Sequence, residues 1–252
     1  MSTERKLPDN LSEPLRTTLT NLAIVVAFGV AFGYIEAAVV VYLREIFHPD
    51  GFTFPIKVFG LTPLARRMLL TEIGREAATI VLIFTGAWLF GRNHRQRVAC
   101  FLAIFAVWDI FYYVWLKVLI DWPVSIMDWD ILFLIPVVWA SPLLYPVLLS
   151  VMMLVFAVVL LLRPPSTGPF RVTLADGIGF FASGLIVVVC FCVAGVHAAE
   201  EDFASHFHGS LFAAGVLLCL VVFVKCLLRS RPRTGRPEIE QQDASPRIRE
   251  AS

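Results

Sequence analysis

The chain has 252 residues, of which 58% are hydrophobic and only 16% charged, and its mean hydropathy is +0.77. A soluble domain carries about 25% charged residues, so this composition excludes an ordinary water-soluble globule and points to an integral membrane protein. The net charge of +1 gives no electrostatic basis for a nucleic-acid partner.

Residues 1–19 are polar, contain Pro8 and Pro14, and read as a cytoplasmic tail. The apolar run that follows is too long for the core of a cleaved signal peptide, so it reads as an uncleaved first span over about 22–43. It carries Gly29-x-x-x-Gly33 and Ala37, a stripe of small residues that lets a second helix approach closely. Glu36 lies beside that stripe, and Arg44 marks the interface. Residues 44–68 form the longest internal connection, dense in turn residues from Phe47 to Pro55, with a stretch from Lys57 that reads as lying along the membrane surface.

The second span covers about 69–90 and opens on Thr71–Thr79, which carries Glu72, Arg75 and Glu76. At helical spacing these three share a face with Thr79. After a basic loop, residues 91–97, the third span covers about 98–120 and holds Asp109, Lys117 and an aromatic layer from Trp108 to Trp115. An acidic loop, residues 121–130, leads into the apolar run Ile131–Leu162. As a single helix this run would be about 48 Å long, too long for a bilayer core of about 30 Å. Pro136, Pro142 and Pro146 also interrupt it. The expectation is a re-entrant or interfacial piece over 131–141, capped by Asp130, and a fourth span over 142–162. A fifth span over 174–196 starts near Asp176, whose position suits a helix cap. A polar loop with His197, His206 and His208 precedes a sixth span over 210–228, and residues 229–252 read as a disordered cytoplasmic tail.

The predicted fold is therefore all-α, with one domain of six transmembrane helices over 20–228 plus the Pro-broken segment. Arginine and lysine gather in the N-terminal tail, the 91–97 and 163–171 loops and the C-terminal flank, whereas the 121–130 and 197–208 loops have none. This bias predicts a multi-pass inner-membrane protein with both termini cytoplasmic; only the 44–68 connection dissents. The five cysteines all fall in spans, and no structural disulfide is expected.

This topology places Glu36, Glu72, Glu76 and Asp109 in the outer half of three consecutive spans, with Arg75 among them. Charges there are costly and mark pairing or function. Three readings compete. In the first, Arg75 neutralises the acids as a purely structural ion-pair cluster. In the second, Glu36, Glu72, Glu76, His206 and His208 hold a divalent metal such as Zn, Fe or Mn, and Glu72, Arg75, Glu76 and Asp109 serve a metal-dependent reaction on a lipid or small solute. In the third, the carboxylates serve a proton- or ion-coupled transporter. The expected partners are the bilayer and such a substrate. No His-Glu-x-x-His motif or phosphate loop is present.

Overall fold

A computed structural model describes residues 12–56, 62–163 and 170–230, with side chains from residue 17. The chain is mostly helical: α1 (Ser12–Phe47), α2 (Pro63–Phe90), α3 (His94–Ile120), α4 (Leu144–Leu162), α5 (Leu174–Val196) and α6 (Gly209–Arg229). Among the described residues, six helices are long and apolar enough to cross a membrane. Residues 1–11, the stretch 57–61 and the tail from 231, about which the sequence makes specific expectations, lie outside the described residues.

The helix ends follow local chemistry. Thr62 caps α2 by accepting from the Ala65 N–H at 3.1 Å, and Pro63 follows at the first position, where its missing N–H costs nothing. This start lies before the expected 69, just as α1 starts before the expected 22. Asn93 caps α3 through the Gln96 N–H. Thr173 and Asp176 form a reciprocal capping box at the start of α5, so Asp176 is the expected cap. It also pairs with Arg229 and, at 3.3 Å, with Lys225, which ties the start of α5 to the end of α6.

The segment 131–141 is not helical. Trp129–Phe133 (β1) and Trp139–Pro142 (β2) form an antiparallel hairpin, with Asp130 opposite Ser141 and Ile131 opposite Ala140. Asp130 is thus a strand residue, not a helix cap, and α4 starts at Leu144. The physical reason lies in pairing. Pro136 falls in the turn and Pro142 at the strand end, so neither costs a ladder bond, whereas each would break a helix. The pairing also satisfies the backbone N–H and C=O groups of this non-helical segment.

α3 lies at the centre of α1, α2 and α4. The expected close approach of α1 occurs on α3: a Cβ at Gly33 would lie 2.9 Å from the Trp108 carbonyl. β2 packs on α5, and α5 packs along α6. Between α3–α4 and α5–α6 lies an apolar cavity of about 820 Å³ lined by residues such as Met152, Val187 and Val216, with His94 and Arg95 at one mouth. It is bridged where Phe156 of α4 stacks on Phe223 of α6, with ring centroids 3.7 Å apart.

Candidate functional site

The hairpin lies at the end of the bundle opposite Arg92, Arg95, Arg97, Arg163 and Arg229. At this hairpin end, α2 presents Glu72, Arg75, Glu76 and Thr79 as a stripe, as their spacing predicts. Arg75 pairs with Glu36 of α1 and with Glu72, at 2.8 Å for the latter. The Thr79 hydroxyl donates to Glu36. Glu36 therefore has two partners, and one guanidinium joins α1 to α2.

Glu76 turns away from this pair. Its Oε2 accepts the backbone N–H of Leu134, in the hairpin turn, at 2.8 Å. Asp109 of α3 accepts from the Ser150 hydroxyl of α4 at 2.8 Å. Neither Glu76 nor Asp109 has a salt bridge among the described residues.

At the hairpin base, Arg44 pairs with Asp130 at 3.1 Å, and the Tyr112 hydroxyl donates to Asp130 at 3.3 Å. The guanidinium lies 3.8 Å from the Trp122 ring centroid and 4.4 Å from that of Phe52. Desolvation pushes the Asp130 carboxyl up from its ordinary 3.8 to about 6, against the opposing pull of Arg44. Arg44 is thus a buried, paired cation.

Two cavities meet at these side chains. A vestibule of about 320 Å³ is lined by Arg44, His48, Glu72, Arg75, Glu76 and Asp130. A smaller chamber of about 110 Å³ is lined by Glu36, Arg75, Glu76, Asp109, Tyr113 and Ser150, with aromatic walls. Arg75, Glu76 and Tyr112 border both spaces. The chamber is also lined by Trp108 and Trp139, whose indole N–H groups are buried without a hydrogen-bond acceptor among the described residues.

The structure brings Glu36, Glu72, Arg75, Glu76 and Asp109 to these connected spaces. It does not bring the expected ligands His206 and His208 there. His206 Nε2 lies 3.6 Å from Glu200 and 3.5 Å from Asp202, and the exposed His208 contacts the His206 carbonyl at 3.0 Å. The five cysteines are free.

Sequence reasoning missed Ser150, the Tyr112 hydroxyl, the Arg44–Asp130 pair and the two indoles. Ser150 and Asp109 are 41 residues apart, and nothing local links them. The chain matches no protein-family model, and no curated protein or solved structure is significantly similar to it.

Proposed function

We propose that the protein is a multi-pass inner-membrane protein with both termini cytoplasmic, and that it exchanges protons for a small cation admitted through the vestibule. Orientation is supported by the arginines at the end opposite the hairpin. Within the dissenting 44–68 connection, Arg44 is buried against Asp130 and does not count as a flanking charge, while the exposed Arg66 and Arg67 still do.

The carrying observation is the chamber. Three carboxylates, Glu36, Glu76 and Asp109, line it with one guanidinium, Arg75, and Glu72 adds a fourth from the vestibule, so the site favours positive charge. Among the described residues Glu76 and Asp109 form no salt bridge, so a bound cation and bound protons compete for the same oxygens. That competition is what couples the two fluxes. The chamber has space for several waters, which suits a partly hydrated ion whose water oxygens accept from Trp108 and Trp139.

The second reading, a metal-dependent enzyme acting on a lipid, is favoured by one observation. Phe105, Trp139, Leu149 and Phe191 line both the chamber and the large apolar cavity, where an acyl chain fits. The test uses proteoliposomes containing a trapped pH dye, challenged with Na⁺, K⁺, Mg²⁺, Ca²⁺ and small amines. At least one cation is expected to give a dye response with the wild type, reduced about tenfold or more by Asp109→Asn and unchanged by Asp121→Asn on the exposed loop. No response to any of them from folded protein, or a full response from Asp109→Asn, overturns the exchange reading.

A further inference from the structure

The loop between α5 and α6 holds a second polar group, remote in its contacts from the carboxylate chamber. Among the described residues, His197, Glu200 and His206 form the set whose possible ligand atoms all lie within 4.8 Å of one another. His197 Nδ1 is 2.9 Å from Glu200 Oε1, and His206 Nε2 is 3.6 Å from Glu200 Oε2. Asp202 Oδ2 is 3.5 Å from the same His206 nitrogen. The geometry points to a divalent transition-metal site of the zinc type, with His197, Glu200 and His206 as ligands and Asp202 or water in the fourth position.

Three observations carry this assignment. First, zinc held at about 2.0–2.1 Å by tetrahedral ligands sets those ligands about 3.3 Å apart, and the separations here bracket that value. Second, two imidazoles with one or two carboxylates are a donor set suited to zinc or its neighbours, not to magnesium or calcium. Third, His197 Nδ1 and His206 Nε2 are both buried at the atom and lack a well-aligned hydrogen bond. These nitrogens face carboxylate oxygens, and a cation between them satisfies both kinds of atom at once. The two rings now lie parallel, with centroids 3.7 Å apart, so closing on an ion requires them to fan open.

The position gives the site a role. His197 terminates α5, and His206 ends the short turn Phe203–His206 just before α6. An ion there staples the two helices together at the hairpin end. The same loop covers the hairpin base: Phe203 packs on Trp129 with centroids 4.9 Å apart, and the Ala198 carbonyl accepts from Ile56 N–H at 2.8 Å. The metal would therefore brace the cover of the hairpin rather than join the exchange chemistry.

The test is equilibrium dialysis of the detergent-purified full chain, free of affinity histidines and stripped with chelator, against Zn²⁺. One ion per chain is expected, with melting temperature rising with Zn²⁺ concentration. Co²⁺ should bind at the same place and show the visible bands of tetrahedral N/O coordination. His197→Ala and His206→Ala should each weaken binding by roughly 100-fold or more, whereas His94→Ala, at the opposite end, should not. His206→Gln, which keeps size and polarity, should retain the wild-type helical circular dichroism yet lose the Co²⁺ bands. Failure of the wild type to retain Zn²⁺, or unchanged retention in the His197→Ala/His206→Ala double variant, overturns the assignment.

Discussion

Glu76 of α2 holds the backbone N–H of Leu134 at 2.8 Å, so a carboxylate on one helix fixes the turn of a hairpin 58 residues further along the chain. The same side chain borders both the vestibule and the chamber. It therefore has a structural duty and an electrostatic one, and two substitutions separate them.

Glu76→Gln keeps an oxygen that can accept from Leu134 but removes the charge, so its melting temperature should stay near the wild-type value. Glu76→Ala leaves that N–H without a partner and should cost roughly 1–3 kcal/mol. Cation-driven dye response should be lost in both. Thermal unfolding of the three proteins in detergent checks the structural half, and identical melting of Glu76→Ala and wild type would show that the contact does not secure the hairpin.

Asp130 predicts a pH dependence with a definite sign. Its folded carboxyl titrates near about 6, above its ordinary 3.8. Folded protein therefore binds that proton more tightly than unfolded protein. The linked stability is fully present below about pH 4 and is lost as pH rises through about 6. The size is at most about 3 kcal/mol. Other groups titrate in the same window, so the observable is the difference between the wild type and Asp130→Asn. Relative to the variant, the wild type should lose stability between about pH 4 and 6, and parallel curves would refute it.

Gly195 is where the hairpin rests on α5. A Cβ there would lie 2.0 Å from the Val138 carbonyl oxygen and 2.9 Å from the Trp139 Cα, both backbone atoms. No rotamer change relieves such a clash, so Gly195→Ala must lift β2 off the helix at a cost of roughly 1–3 kcal/mol or more. Gly74, with nothing within 4 Å of an added Cβ, is the matched control. Gly74→Ala should be neutral or stabilising by up to about 1 kcal/mol. Equal melting of the two alanine variants would contradict the packing described.

Hydropathy made the six helices legible because each is a local property of about 20 residues. The face formed by Glu72, Arg75, Glu76 and Thr79 was legible for the same reason, since helical periodicity alone brings them together. The hairpin was not. Ile131–Leu162 reads as continuous apolar sequence, and what turns its first part into strands is pairing between Ile131 and Ala140, a non-local event. The prolines revealed that a helix must break but not what replaces it. The pairing of Arg44 was hidden for a related reason, since its partner Asp130 lies 86 residues away. For the histidines, the sequence offered His206 and His208 as ligands, yet the ring stacked on His206 is that of His197, brought over by the loop.

The cavity between α3–α4 and α5–α6 also shapes how this molecule can deform. Compact interiors resist motion because every displacement forfeits contacts on all sides. Here α5 and α6 border a cavity of about 820 Å³, held by β2 at one end and by the Phe156–Phe223 stack toward the other. A tilt of the α5–α6 pair forfeits fewer contacts on this side than it would against a solidly packed neighbour. Trp139 and Phe191 line both that space and the carboxylate chamber, so any such tilt directly changes the width of the chamber.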